Sequence, residues 1–256
     1  MLAICHLSIV PIRKESSDRS EQVTQLLFGD LIEILETNGN WQQIRILDDN
    51  YTGWVDKRQI QPVSDEIAIL VNNSPALYTA SITGALQSGL RPITQVVLGS
   101  KLPLSGIQTG QMLWGPLHYS GPTIQPHKPD PEMIIHFSTM YQGAPYQWGG
   151  KSPFGIDCSG FSQMVFRLNG ISLPRDAWQQ AQLGQVVESS EPLKVGDLAF
   201  FKNQEGKVVH VGIILENNII AHASGHVRMD TLTNEGIVNA ESGLQSHQLC
   251  CIKRFF

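Results

Sequence analysis

Cys158 stands in the run FGIDCSGF, between an aspartate and a serine and directly ahead of an apolar stretch. Downstream, VVHVGIILENNIIAHAS carries His210 and His222. One thiol and two imidazoles can do two kinds of chemistry. Ordered as nucleophile, base and orienting partner, they form a cysteine-nucleophile centre. Gathered around an ion, they could hold zinc with an open position. Taken alone, Cys158 is a core thiol, because free cysteine is among the most buried residue types. A single histidine in a strand is ordinarily a hydrogen-bonded, half-buried residue. No second thiol or carboxylate lies at a convincing ligand spacing, which disfavours a metal. His6, His118, His127, His136, His226 and His247 form no pattern and are assigned surface or structural roles.

These groups act only if the chain positions them. A helix starting at Asp157 puts Cys158, Phe161, Val165 and Leu168 on one inward stripe. Asp157 is its N-cap candidate, and Asn169 with Gly170 supplies the stop. In the first turn Cys158 faces the positive end of the helix dipole, which predicts a favoured thiolate, and the same N–H groups could hold an oxyanion. Asp176 is the N-cap candidate of a following helix over AWQQAQL. For the histidines, strand register decides. A turn of Asn217-Asn218 alone pairs Ile213 with His222 and sends His210 to the other face. A turn of Glu216 to Asn218 pairs Gly212 with His222 and leaves His210 diagonal to it on the same face. The second register is predicted, with Gly212 clearing space, His222 bonded to His210 Nδ1, and His210 Nε2 toward the thiol.

The remaining sequence bounds the setting. Its 256 residues are 41% hydrophobic and 16% charged, which is globular composition with room for two or three modules. A net charge of -5 supplies no basic stripe for phosphates, so neither nucleic acid nor a membrane surface is an expected partner. The cysteines, Cys5, Cys158, Cys250 and Cys251, match neither a zinc knuckle nor a secreted disulfide framework, and reduced thiols are expected. MLAICHLSIVPIRK lacks the order of charge, apolar core and cleavage site of a signal peptide, so the expected compartment is the cytoplasm. Short strand-like runs fill residues 1–62 and again 63–125, predicting two small all-β barrels. The prolines of SGPTIQPHKPDPE mark a linker. Residues 126–256 then begin with helices, PEMIIHFSTMYQG first, and continue with the strands DLAFF, VVHVGIIL and NIIAHAS, an α+β domain.

The ordered set YQWGG, FGIDCSGF, LPRDA, LKVGDLAFF, HVGIIL and IIAHAS resembles the NlpC/P60 family of papain-like cysteine peptidases over about residues 130–256. The first 62 residues resemble a bacterial SH3-like domain, and the layout of two such domains before the peptidase is similar to the dipeptidyl-peptidase VI or γ-D-glutamyl-L-diamino-acid endopeptidase branch. The resemblance implies Cys158 as nucleophile, His210 as base and His222 as orienting residue. It implies a small peptidoglycan stem peptide with a free N-terminal L-Ala, cut after γ-D-glutamate during wall recycling, with no cofactor and a monomeric enzyme. The alternative it leaves is an exported hydrolase whose SH3-like domains bind intact peptidoglycan. Matching positions make Asp176, Tyr51 and Asp30 candidates for the substrate ammonium. Ser159, Tyr146 and Arg175 are candidates for the D-Glu carboxylate, with Asp157 beside them and Trp148 as pocket wall. Asp30 departs from a usual Glu, and Ala177 stands where many members carry Ser. The resemblance does not choose between diaminopimelate and lysine.

Overall fold

The computed structural model describes residues 1–88, 91–103, 111–112 and 115–256, with side chains described at all of these but 88, 91–93, 111–112 and 115–117. Two compact units result, Met1–Pro126 with Lys151–Pro153, and His127–Gly150 with Phe154–Phe256.

In the first unit, alternating apolar residues build the antiparallel strands β1 (Leu2–Cys5), β2 (Ile9–Arg13), β3 (Gln22–Leu27), β4 (Leu31–Asn38), β5 (Trp41–Ile46), β6 (Thr52–Asp56) and β7 (Ile60–Pro62). They form one sheet in the order β3-β2-β6-β5-β4-β1-β7, an SH3-like domain. Val10, Ile12, Leu26, Ile32, Ile44 and Val55 meet in its core, and Tyr51 packs against them. The expected strands of the second barrel do not begin at once, because Asp65–Asn73 is a helix, α1, capped by the Ser64 side chain on the Ile67 N–H. The unbroken run IAILV hides a helical period, and only Ala68 and Val71 of α1 are buried. Strands β8 (Tyr78–Thr79), β9 (Thr83–Ser88), β10 (Arg91–Val97), β11 (Gln111–Met112), β12 (Gly115–Tyr119) and β13 (Thr123–Ile124) follow. They pair as β10-β9-β12-β11 and β13-β8. Residues 89–90, 104–110 and 113–114 of the second expected barrel lie outside the described residues.

In the second unit Asp130 caps α2 (Pro131–Met140) through the Glu132 N–H, with Pro131 suited to the first turn. Strand β14 (Lys151–Ser152) belongs to the first unit; in the second, β15 (Gly155–Ile156) precedes α3 (Cys158–Arg167), and α4 (Ala177–Gln180) follows. Phe161, Val165 and Leu168 are fully buried, as the stripe requires. Then come β16 (Gln185–Val186), β17 (Leu198–Lys202), β18 (Val208–Ile214), β19 (Ile219–Ser224), β20 (His226–Leu232), β21 (Gly236–Val238) and β22 (Gln245–Arg254). The sheet order is β16-β22-β17-β18-β19-β20-β21, and β21 also pairs with β22, so β17 to β22 close into a ring. Closure removes exposed edges and fixes each strand's face. Helix α3 packs on β18 and β19, which brings its N-terminus to the histidine strands.

Candidate active site

The nucleophile candidate sits where helix and ring meet. Asp157 is the cap of α3, its Oδ1 accepting the Gly160 N–H at 2.7 Å while Oδ2 accepts the Gly149 N–H at 2.8 Å. Cys158 is 6% exposed, and the backbone N–H groups of Val211 and Ser159 point at its sulfur. The register explains the first contact. Strands β18 and β19 pair only at Ile213↔Ala221 and Ile214↔Ile220, so at Val211 the ladder has already opened and its N–H is left for the thiol.

The same register is the predicted one, closed by a Leu215 N–H bond to Ile219 O at 2.7 Å. Asn217 (φ 56°) and Asn218 (φ 60°) turn the chain through the left-handed region that asparagine tolerates. His222 therefore faces Gly212, and His210 lies on the diagonal. A Cβ at Gly212 would come within 3.1 Å of the His222 Cβ and 2.6 Å of the Ile220 Cδ1, so glycine there keeps the two histidine strands from crowding.

One detail is reversed. His210 reaches His222 through Nε2, at 2.9 Å from His222 Nδ1, so it is Nδ1 of His210 that remains for a proton from sulfur. A further residue, absent from the sequence-based set, fixes the protons along this line. His222 Nε2 lies 3.0 Å from Asp230 Oδ2. A carboxylate there makes His222 carry its proton on Nε2, its Nδ1 then accepts, and His210 must donate from its own Nε2. Asp230 is 2% exposed and also accepts from Arg228 Nε (2.9 Å), Arg228 Nη2 (3.1 Å) and the Ala240 N–H (2.8 Å). Its carboxyl is held below the ordinary aspartate range; burial opposes this and is outweighed by the Ala240, His222 and Arg228 bonds. A sequence signal existed. Gly225 makes a tight turn pairing Ser224 with His226 and His222 with Arg228, and alternation then puts Asp230 on the same face as His222.

Charge favours neutral partners at rest. Burial first, then Asp157, pushes the Cys158 thiol up to about 12 against the two backbone N–H groups, so the helix start does not by itself yield the expected thiolate. Burial also holds His210 well below its usual value, with His247 and His222 adding to the effect. His222 is lowered as well, chiefly by burial, although Asp230 pulls it upward.

The substrate-contact candidates separate into groups. Arg175 is 1% exposed and grips both carboxylate oxygens of Asp157, at 2.9 and 2.6 Å, while its Nη1 meets the Ser159 hydroxyl at 2.9 Å. Asp157, Ser159 and Arg175 thus satisfy one another as a buried network that braces the cap. Asp176 is at the N-cap of α4, its N–H bonded to Gln179 Oε1 at 3.1 Å. Tyr146 is 37% exposed, and burial, then the charges of Cys158 and Asp157, pushes its phenol up to about 12. Trp148 is 61% exposed. In the first unit Asp30 is fully buried, accepting the Leu27 N–H at 2.9 Å, and Tyr51 supports the barrel core. Among the described residues no group of three or more His, Cys, Asp or Glu could hold a metal ion.

A buried cysteine at a helix start, with a histidine-led relay on the adjoining sheet, is the layout of a cysteine peptidase. Residues 143–242 match the NlpC/P60 family, and residues 12–60 match the bacterial dipeptidyl-peptidase SH3 domain. The chain carries an NlpC/P60 cysteine-peptidase domain preceded by a bacterial dipeptidyl-peptidase SH3 domain. It is 29% identical over 248 residues to a γ-D-glutamyl-L-lysine dipeptidyl-peptidase of Bacillus subtilis, covering 91% of this chain and 81% of that one. To dipeptidyl-peptidase 6 of Lysinibacillus sphaericus it is 26% identical, covering 88% of each. The crystal structure of an NlpC/P60 family protein from Bacillus cereus shares the fold, with TM-score 0.83, 20% identity and 99% of both chains covered.

Proposed function

We propose that the protein hydrolyses the bond between γ-D-glutamate and a diamino acid in peptidoglycan stem peptides that carry a free N-terminal L-Ala. The observation that carries the reading is the bonded line His210–His222–Asp230, which starts one residue before the Val211 N–H that bonds the Cys158 sulfur. In this reading the Cys158 proton passes to His210 Nδ1 as sulfur attacks the γ-carbonyl carbon. Both groups start neutral, and the charges that form are opposite and adjacent. The N–H groups at the start of α3 receive the oxyanion. Collapse of the tetrahedral intermediate breaks the C–N bond, and His210 returns its proton to the departing amine. His210 then takes a proton from water, whose oxygen attacks the thioester and releases Cys158.

The names of the relatives support the γ-D-glutamyl bond and favour L-lysine as the diamino acid. Tyr146 and Trp148 form the wall of the approach to sulfur, and Asp176 is the ammonium candidate of the second unit. We further propose a cytoplasmic monomer acting in wall recycling, a compartment that the four free cysteines support. Mass spectrometry of products from L-Ala-γ-D-Glu-L-Lys and its N-acetyl form tests the reading. Cleavage of the free peptide alone is expected. Equal turnover of both, with pelleting on purified sacculi, would instead indicate a hydrolase of intact wall.

A further inference from the structure

His247, to which the sequence assigns a surface or structural role, takes no part in the bonded line, yet among the described residues its ring is the one most nearly parallel to His210. The two centroids are 4.2 Å apart at 26°, whereas His222 meets His210 edge-on at 5.1 Å and 85°, and Phe201 is tilted at 5.8 Å and 48°. The backbone goes out of its way to present it. His247 adopts φ 57°, in the left-handed region, within β22. The pairing of β21 with β22 shifts register there, from Gly236↔Gln248 to Ile237↔Ser246, so His247 is the extra residue of a bulge. Gly236 lets the strands close over that bulge, since a Cβ on it would stand 2.0 Å from the His247 carbonyl oxygen. The imidazole is anchored in turn, Nδ1 bonding the Ser246 hydroxyl at 2.9 Å.

The bond to His222 fixes where His210 Nε2 points but leaves the ring free to swing about that direction. A second plane stacked on the first removes this freedom. We propose that His247 is a positioning residue for the peptidase reaction, its stacked ring holding the plane of His210 so that Nδ1 stays turned toward the Cys158 sulfur. Bulges that aim a side chain recur beside active sites. The inference rests on the reading of Cys158 and His210 as nucleophile and base.

Two substitutions separate the ring from the backbone. His247→Asn suits the left-handed conformation and removes the ring, while His247→Phe keeps a stacking ring in a conformation it tolerates poorly. The rate at which iodoacetamide alkylates Cys158 in the full chain at neutral pH, followed peptide by peptide with exposed Cys250 as internal reference, needs no substrate. His247→Asn should slow Cys158 by about tenfold or more at an unchanged or higher thermal midpoint, a loss in line with small misplacements of reacting groups. His247→Phe should recover most of that rate at a lower midpoint. A structural filler would make rate and stability fall together, so that pattern, or an unchanged rate in His247→Asn, overturns the proposal. Should full alkylation of Cys158 in the unsubstituted chain leave stem-peptide cleavage intact, the nucleophile reading itself falls and takes this inference with it. Retained Cys158 reactivity with no cleavage of any stem peptide would refute only the substrate.

Discussion

His222 and Asp230 meet at 3.0 Å across β19 and β20, one diagonal step after His210 and His222 meet at 2.9 Å across β18 and β19. Two successive diagonals on one sheet face make a line of proton positions whose far end is a carboxylate. Asp230 thereby decides which nitrogen of His210 is basic.

Asp230→Asn should lower kcat by roughly tenfold to a hundredfold with little change in KM, the scale seen when a partner that orients a histidine is altered. Asp230→Ala goes further, leaving Arg228 and His222 without their acceptor, and should also cost about 3 kcal/mol of stability. Steady-state kinetics and urea unfolding of both variants check this; equal kinetics for Asp230→Asn and the unsubstituted chain would remove Asp230 from the relay.

Cys158→Ala should abolish turnover yet still bind the stem peptide, by calorimetry, because it removes only the sulfur. Residual turnover in that variant would mean another nucleophile.

Arg175 and Asp157 form a buried, bidentate pair, with side chains 1% and 7% exposed. Arg175→Ala strands the carboxylate beside Cys158 and should destabilise the chain by about 3 to 5 kcal/mol. Arg175→Lys keeps charge without the fork and should fall between. Denaturant midpoints for the three chains give the order directly.

Gly212→Ala tests the crowding between the histidine strands. The Ile220 side chain can rotate away from an added methyl, but the His222 Cβ, 3.1 Å off and anchored through Asp230, must shift. Stability should drop by about 1 to 3 kcal/mol. Activity should fall by more than that loss accounts for, since the displaced group is the partner of His210.

Acid should destabilise this fold early. His210, His222 and His247 all titrate below the ordinary 6.5 in the folded chain, mainly through burial. In the unfolded chain they take protons near 6.5, so between that value and their folded values the unfolded state binds more protons. Stability is therefore full above about pH 6.5 and falls as pH drops below it, by up to about 1.4 kcal/mol per pH unit from His210 alone. Asp230 stays ionised through this window, its carboxyl being lowered. Thermal midpoints at pH 7.5 and 5.5 check the sign; a flat or rising trend toward acid contradicts the burial of neutral imidazoles.

Much of this was legible in the order of residues. The cap at Asp157, the stripe through Phe161, Val165 and Leu168, and the turn of Glu216 to Asn218 all follow from local periodicity and turn chemistry. What escaped depends on strands that pair at a distance. Asp230 needed one more step of register past Gly225. His247 could not be reached at all, because its place depends on a bulge in β22 and a left-handed backbone that no pattern in QSHQLCC announces. Arg175 was legible as a charge near the site, but its full burial against Asp157 depends on how the segment after α3 folds back. Helix α1 escaped for the opposite reason, a locally unbroken apolar run that fits either period.

The open ladder between β18 and β19 has one further effect. His210, His222 and Asp230 come from neighbouring hairpins, which can pair without help from distant sequence. Cys158 arrives from an earlier helix, and its sulfur meets the Val211 N–H only after α3 has docked on those hairpins. Until that docking Cys158 lacks both the Val211 N–H and the histidine line, so the capacity to cut peptide bonds requires a contact between segments far apart in sequence.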